Sequence, residues 1–186
     1  MGFTHYWDMT RDISERNFKK LTKDMKAIEA YIKENKSISN NAECAWDEQV
    51  TLHHPNGENE GVLYYSNTFG FNGDAKIHAD HESMHINLGA NDSWTFCKTA
   101  RKPYDLAVCL ILISLKYHIR STRVTSDGGN DDWQHSFELW EKIFPKRNVM
   151  FRFKKWKSGS KKLDGSLAIY NRTKLTADLL AGKIIS

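Results

Sequence analysis

Apolar residues recur at intervals of three and four after Asp12, which is the spacing of one helix face. The residues from Asp12 to Glu15 resemble a capping box, so we predict a helix that begins there and ends near Glu34. The apolar stripe spans barely two heptads, which is short for a coiled coil, and we expect it to pack against a sheet. The stripe consists of Phe18, Leu21, Met25, Ile28 and Ile32.

Two more helices are predicted further along the chain. Residues 104–119 are hydrophobic on nearly every face, which is typical of a helix at the centre of a core. Residues 132–143 are apolar on one side only, which is typical of a helix that packs on the core from outside. The apolar side consists of Trp133, Phe137, Trp140 and Ile143.

Short runs rich in β-branched and aromatic residues separate these helices and predict strands. Strands interrupted by three helices indicate an α+β fold, a mostly antiparallel sheet packed by about three helices, with residues 104–119 central and buried. The chain of 186 residues is expected to form one domain, with 146–186 as a basic strand-turn segment and a C-terminal arm. The predicted strands cover 3–9, 62–67, 76–88, 94–99, 121–126, 148–156 and 166–171.

Composition narrows the class of protein. The net charge of +4 permits an anionic partner without requiring one. The three cysteines, Cys44, Cys97 and Cys109, form no CxxC motif, so we expect a reducing compartment rather than a disulfide framework or a zinc finger. The longest apolar run, 106–113, is too short to span a bilayer, and the N-terminus lacks a signal pattern. We therefore expect a cytoplasmic protein without a membrane partner.

A block of three cations, Lys98, Arg101 and Lys102, precedes Pro103 in the stretch FCKTARKPYD. Pro103 suits the first turn of the central helix, whose N-terminus already carries partial positive charge. Each cation there is unfavourable by roughly 0.3–1 kcal/mol unless a negative group balances it. Asp105 can balance one cation, so the block has a surplus of positive charge.

Two explanations for this surplus remain open. Acidic residues elsewhere, such as Asp127, Asp131 and Asp132, would form ion pairs with the cations. Alternatively, an anionic ligand would be held by helix N–H groups, an arginine fork and a lysine. The stretch has neither a Walker motif nor a GxGxxG motif. The candidate binding residues of the block are Lys98, Thr99, Arg101, Lys102 and Tyr104.

The stretch SDGGNDDW, residues 126–133, predicts a tight turn between a strand and a helix. It is either a well-formed loop that caps the next helix or a site whose carboxylates bind ribose hydroxyls or a divalent metal. The ring of Trp133 would then stack on a base, although its spacing with Phe137 and Trp140 favours the core. The candidate binding residues of the loop are Ser126, Asp127, Asp131, Asp132 and Trp133.

Three histidines occur within the stretch HADHESMH. In a strand, one face would present His78, Asp80 and Glu82, and the other His81, Ser83 and His85. Either row offers acid–base or metal-binding chemistry, but the spacing matches no zinc signature. We favour a half-exposed strand edge, expect no metal or other cofactor, and name His81, Glu82 and His85 as the catalytic candidates of an enzyme.

The segment 146–162 contains eight Lys or Arg residues, interleaved with Phe151, Phe153 and Trp156. Cations with stacking aromatics are how proteins hold single-stranded nucleic acid. We favour the other interpretation, a strand with one core face and one lysine-rich solvent face.

Several blocks together resemble a group of small uncharacterised proteins encoded by tailed phages and related viruses. These blocks are MGFTHYW, FNG, HES, FCKTARKPYD and SDGGNDDW, and the likeness covers roughly residues 1–140. The resemblance implies a viral origin and action in the cytoplasm of an infected bacterium. It implies no chemistry.

The leading hypothesis is a phage-type protein that binds a phosphate-bearing ligand, in the first instance a nucleotide, and that sequesters a host defence signalling nucleotide. The alternatives are a nucleotide phosphodiesterase that uses the histidine and carboxylate cluster, and a nucleic-acid-binding protein. We favour binding over catalysis. The sequence leaves open whether the protein forms a homo-oligomer.

Overall fold

The structure, a computed structural model, describes residues 2–9, 12–35, 49–89, 94–154 and 165–173. A 3₁₀ turn at Ala75–Ile77 interrupts the strands, which alternate with three helices. In chain order, the described elements are β1 (Thr4–Asp8), α1 (Glu15–Glu34), β2 (Leu63–Tyr64), β3 (Thr68–Phe71), β4 (Met84–Asn87), β5 (Thr95–Lys98), α2 (Asp105–His118), β6 (Arg123–Ser126), α3 (Asn130–Ile143), β7 (Val149–Phe153) and β8 (Leu167–Asn171).

The predicted α+β class with antiparallel pairing is confirmed. The described strands form three small sheets, with the orders β5-β1-β6, β2-β3-β4 and β7-β8. Strand β1 is central in the first sheet, where Tyr6 lies opposite Phe96 of β5 and Thr125 of β6. This register brings the residues after β5 and the residues after β6 to the same end of the sheet.

Helix α2 is the central buried helix that its composition predicts. Eleven of its fourteen residues, from Asp105 to Leu115, are buried. Helices α1 and α3 both pack against it. A fully buried aliphatic side chain stabilises a fold by about 1.5–3 kcal/mol, so this helix holds the other elements together.

Helix α1 differs from the prediction at its start and in its packing. All five residues of the predicted stripe are buried. The N-cap is Ser14, whose hydroxyl accepts a hydrogen bond from the backbone of Asn17, so the helix starts later than the capping-box interpretation placed it. The stripe packs chiefly against α2 rather than a sheet, although Phe18 also contacts Phe69 of β3. The prediction of a sheet contact was therefore largely wrong.

The long strand predicted at 76–88 is also wrong, since only Met84–Asn87 is a strand. His78 has a left-handed backbone, φ 57°, which ends the 3₁₀ turn. The side chain of Asn72 then holds the following loop through the backbone N–H and carbonyl of His81. These contacts prevent the alternation of faces that the prediction required. The same region contains β3, which the sequence analysis did not predict.

The start of the basic segment forms β7 and pairs with β8 as a hairpin. Phe151 and Phe153 are buried and Arg152 is exposed, which is the core-and-solvent arrangement that we favoured. Trp156, the turn at 155–164 and the arm after residue 173 lie outside the described residues. None of the described helices is both long and apolar enough to cross a membrane.

Candidate functional site

The cationic turn, residues 98–102, meets the acidic loop, residues 126–132. Nη2 of Arg101 lies 2.7 Å from Oδ1 of Asp132, in the first turn of α3. The guanidinium also stacks on the ring of Phe3, with its carbon 3.8 Å from the ring centroid. The structure thus brings the two stretches together, and Arg101–Asp132 is one of the ion pairs that the sequence analysis considered.

The backbone of the cationic turn is left-handed at two successive non-glycine residues, Ala100 with φ 51° and Arg101 with φ 59°. Such a conformation costs roughly 1–2 kcal/mol per residue. It is held by Phe3, whose carbonyl accepts hydrogen bonds from the N–H groups of Thr99 and Ala100. The turn therefore has a defined shape, which directs Arg101 toward the acidic loop.

The other two cations differ in their surroundings. The side chain of Lys98 passes over Gly2, where its Cε would lie 2.8 Å from a Cβ at that position. The ammonium of Lys102 donates to the carbonyl of His78. Much of the positive charge thus has a protein partner, because Arg101 pairs with Asp132 and Lys102 with a backbone oxygen. The ion-pair explanation holds for Arg101.

Three candidate binding residues are buried and do not line the surface. Thr99 donates its hydroxyl hydrogen bond to Asp105, and Tyr104 donates to the carbonyl of Glu82 at 2.6 Å. Trp133 is buried beneath His5, with ring centroids 5.1 Å apart. Direct ligand contact by Thr99 and Tyr104 was therefore a wrong expectation, whereas Trp133 lies in the core, as its spacing favoured. All three side chains lie beneath the site.

The three carboxylates of the acidic loop lie in different surroundings. Asp127 accepts hydrogen bonds from the N–H of Thr4 at 3.0 Å and from the hydroxyl of Tyr6 at 3.3 Å. Asp132 accepts from the N–H of Gly129 at 2.8 Å, and this contact together with Arg101 outweighs burial and lowers its pKa. Asp131 lines a cleft of about 360 Å³ between α3 and β7. Asp127 and Asp132 consequently belong to the surface of the cationic turn, while Asp131 lines this separate cleft.

A buried polar network lies beneath the two stretches, and the sequence analysis missed it. Nε2 of His5 lies 2.7 Å from Oδ1 of Asp105, and Nδ1 lies 2.9 Å from the hydroxyl of Ser126. Cys109 Sγ is 3.8 Å from His5 Nε2. The one available signal was the inward position of His5 in an alternating strand. The network joins β1, β6 and α2.

The hydrogen bonds of Ser126 determine whether it can act as a nucleophile. Its oxygen accepts from the N–H of Gly128 at 3.0 Å and from Nε1 of Trp133 at 3.3 Å. We therefore assign its own hydrogen to Nδ1 of His5, which leaves the Nε2 hydrogen for Asp105. The order Ser–His–Asp is that of a catalytic triad, but both oxygen lone pairs are engaged by donors. Ser126 accordingly serves as a structural junction rather than a nucleophile.

Among the described residues, His5, Asp105 and Cys109 form a group whose ligand atoms lie within 4.8 Å of one another. A nitrogen, oxygen and sulfur set suits zinc. However, the imidazole and the carboxylate already bond each other, and burial followed by the nearby Asp105 raises the pKa of the Cys109 thiol. A metal would have to break this satisfied network, so we assign the group a structural role.

The catalytic candidates His81, Glu82 and His85 are used in different ways. The Glu82 carboxylate accepts the backbone N–H of Lys98 at 2.6 Å. The backbone carbonyl of Glu82 accepts a hydrogen bond from the Cys97 thiol. Burial raises the pKa of this thiol to about 12, so it is not activated as a nucleophile. His85 lines a cavity of about 110 Å³ next to β1 and β5, and His81 holds Asn72 through its backbone. This arrangement gives them no shared catalytic geometry.

Replacing Gly128 by alanine tests the packing of the acidic loop. A Cβ there would lie 2.6 Å from Cζ of Phe3 and 2.9 Å from Cβ of Asp132. We expect Gly128→Ala to destabilise the fold by about 1–3 kcal/mol, because the ring beneath Arg101 must move. A Cβ on Gly129 would contact nothing within 4 Å, and its φ is −111°, so Gly129→Ala is the matched control. Equal midpoints of urea unfolding for the two variants would contradict this packing.

The outer face of the β5-β1-β6 sheet carries three aromatic side chains next to the cationic turn. Trp94 and Phe96 are 58% and 45% exposed, and Tyr6 is partly exposed between them and Asp127. The sequence analysis assigned no role to these rings, because the strands that carry them are adjacent only in the folded chain. No family model, curated protein or solved structure matches this chain, so its function is inferred from the geometry of this surface.

Proposed function

We propose that the protein binds a phosphate-bearing ligand, most simply a nucleotide, at the surface formed by the cationic turn and the acidic loop. The observation that carries the proposal is that two cations of one short turn lie over consecutive residues just before β1. Lys98 lies over Gly2 and Arg101 over Phe3, and Asp132 pairs with Arg101. Phosphate would contact the cations, and the sugar hydroxyls would contact the carboxylates.

The Arg101–Asp132 pair does not block such a ligand. The two side chains are 43% and 30% exposed, and an exposed ion pair contributes only about 0–1 kcal/mol. A phosphate with two negative charges and three acceptor oxygens is a stronger partner for a guanidinium fork than one carboxylate. Asp132 would keep its hydrogen bond from Gly129 and gain a sugar hydroxyl as a donor.

Asp127 can also accept a hydrogen bond from a sugar hydroxyl. Its two oxygens are oriented by the Thr4 N–H and the Tyr6 hydroxyl, and each carboxylate oxygen can accept a further hydrogen bond. Ser126 would act indirectly, by fixing the start of the loop through His5. The proposed contact residues are therefore Lys98, Arg101, Asp127 and Asp132.

We favour binding without cleavage. Glu82, the carboxylate in the group of catalytic candidates, is already bonded to the backbone of Lys98, and Ser126 has no lone pair directed at a ligand. With the phage resemblance, binding alone would suit the sequestration of a host signalling nucleotide. A phosphodiesterase that uses His81, Glu82 and His85 is the competing proposal.

The test is calorimetry with AMP, ATP and inorganic phosphate as probes. We expect Lys98→Ala and Arg101→Ala each to weaken nucleotide binding by roughly 10- to 150-fold, the loss of one charge-assisted hydrogen bond. Lys19→Ala is the control, because that lysine is exposed on α1, outside the proposed site. Unchanged affinity in both site variants would contradict the proposal.

Mass spectrometry of the released ligand separates binding from cleavage. A ligand that is recovered unaltered after denaturation supports sequestration. Recovery of cleaved nucleotide, with cleavage lost in His81→Ala or Glu82→Ala, would establish the phosphodiesterase instead. His81→Ala leaves the proposed contact residues in place, whereas Glu82→Ala also removes the acceptor of the Lys98 N–H, so only loss of cleavage with retained binding assigns a catalytic role to Glu82.

A further inference from the structure

The outer face of the β5-β1-β6 sheet has an ordered pattern of side chains. Alternate residues of a strand point to the same side, so Trp94, Phe96 and Lys98 share one face. The observed register places Lys98 opposite Thr4, and Phe96 opposite Tyr6. On the other side of β1, Tyr6 lies opposite Thr125, and Asp127 is bonded to Thr4. A row with a cation and a carboxylate therefore borders a row with two aromatic rings.

The rings form a continuous aromatic patch. The centroids of Tyr6 and Trp94 are 5.7 Å apart with an angle of 27° between the planes, which is a stacked arrangement. Trp94 and Phe96 have centroids 5.1 Å apart with planes tilted by 41°. Contacts of this kind hold the rings in place without burying them, and Trp94 and Phe96 remain largely exposed.

We infer that this aromatic patch binds nucleobases that are joined by phosphate in a dinucleotide. The inference rests on the proposed function, since the patch adjoins the same cations. The patch would recognise the nucleobases, which the phosphate site alone would not select.

The charges beside the patch favour this ligand over an apolar one. Lys98 follows Phe96 by two residues on the same face, a separation of about 6.6 Å along the strand. A base stacked on Phe96 would thus have its phosphate near Lys98, with Arg101 in the next turn. Every base has a π-face, so stacking on exposed rings is tolerant of base identity. The sheet face combines the two interactions by which single strands are bound.

The patch also explains why Tyr6 is bonded to Asp127. The hydrogen bond of 3.3 Å joins the aromatic row to the acidic loop. A sugar between base and phosphate would lie across that bond, within reach of the Asp127 carboxylate. Base, sugar and phosphate would then follow one path across the sheet, from Trp94 to Lys98.

The experiment compares four probes on the full chain: ribose 5-phosphate, AMP, a diadenosine dinucleotide with one internal phosphate, and an oligonucleotide of eight thymidines. We expect the base-containing probes to bind more tightly than ribose 5-phosphate. Trp94→Ala and Phe96→Ala should each weaken them by roughly 5- to 150-fold, and leave ribose 5-phosphate binding unchanged. Tyr65→Ala is the control, because Tyr65 is a 62% exposed aromatic residue outside the patch.

The outcomes separate this inference from the proposed function. If AMP and ribose 5-phosphate bind equally and both patch variants bind like the wild type, the patch does not read bases, although the phosphate site stands. If no probe binds, both proposals fail. Sedimentation that shows a dimer lost only in Trp94→Ala and Phe96→Ala would make a second copy the occupant, which also overturns the inference.

Ligand length identifies the source of the bases. A free dinucleotide as the natural ligand predicts that the dinucleotide and the oligonucleotide bind with similar affinity per site. A single strand predicts tighter binding of the longer probe, with affinity that falls steeply as salt rises because counterions are released. The first result supports the inference, and the second makes a single strand the occupant and overturns it.

Discussion

Replacing Arg147 by alanine is expected to lower the free energy of unfolding by about 3–5 kcal/mol, because it leaves a buried carboxylate without its main partner. Asp24, on α1, is only 3% exposed, and its two oxygens accept hydrogen bonds from Arg147 at 2.6 Å each. His118 at the end of α2 lies 2.9 Å from the same carboxylate. The guanidinium also packs over the ring of Phe144, 4.0 Å from the centroid. The group thus joins α1, α2 and the segment after α3.

The effect should depend on pH in a defined direction. Burial alone would raise the pKa of Asp24, but the hydrogen bonds from Arg147 and His118 outweigh it, and the pKa lies below the ordinary value of 3.8. A lowered folded-state pKa stabilises the protein above the unfolded-state value, and that stabilisation is lost as pH falls through the folded-state value. The difference between wild type and Arg147→Ala should therefore shrink below about pH 4.

Chemical denaturation at pH 7 and at pH 3 measures both parts of this prediction. Arg147→Lys is the matched control, since it keeps the charge but cannot form the bidentate hydrogen bonds. We expect it to lower the free energy of unfolding by an intermediate amount. A loss below about 1 kcal/mol for Arg147→Ala at pH 7 would show that the group behaves like an exposed ion pair. A loss that is independent of pH would assign it to the aromatic packing instead.

The helices were predictable because their signal is local. The stripe of α1 and the uniform hydrophobicity of α2 are properties of consecutive residues, and both are confirmed by burial. The N-cap of α1 was misplaced because two adjacent stretches offer capping side chains, and only the fold selects Ser14. The partner of the stripe was misassigned for a related reason, since an apolar helix face packs equally well on a helix or a sheet.

The strands were less predictable because most are short and depend on tertiary contacts. β3 has four residues, including Gly70, where any added Cβ would lie 2.6 Å from Nδ1 of His85. Its strand conformation comes from pairing with β4 rather than from its own composition. The predicted strand at 76–88 failed because a side chain, Asn72, takes the backbone hydrogen bonds that a neighbouring strand would have taken.

The cationic turn and the acidic loop were predictable as separate stretches, and their contact was considered as an ion pair, but the residues that meet and the aromatic patch beside them were not predicted. The cationic turn and the acidic loop are each contiguous, so their composition marked them separately. Their meeting depends on β1, which pairs with the strands before both stretches. The aromatic patch combines Tyr6 with Trp94 through the same pairing, so no local pattern in the sequence reveals it.

Replacing Asp105 by alanine is expected to destabilise the fold by about 2–5 kcal/mol, because it removes the acceptor at the centre of the buried network. Nε2 of His5 and the hydroxyl of Thr99 would both lose their partner, and a buried unsatisfied donor costs about 1–3 kcal/mol. The helix would also lose a favourable charge in its first turn. Thermal and urea unfolding measure the loss, and Asp105→Asn, which keeps an acceptor for His5, should lose less.

Because Cys109 is buried against the same carboxylate, its reaction with a thiol reagent should be faster in Asp105→Ala than in wild type. Wild-type stability and thiol protection in Asp105→Ala would show that the network is dispensable, and that backbone hydrogen bonds and packing suffice to hold the cationic turn against β1.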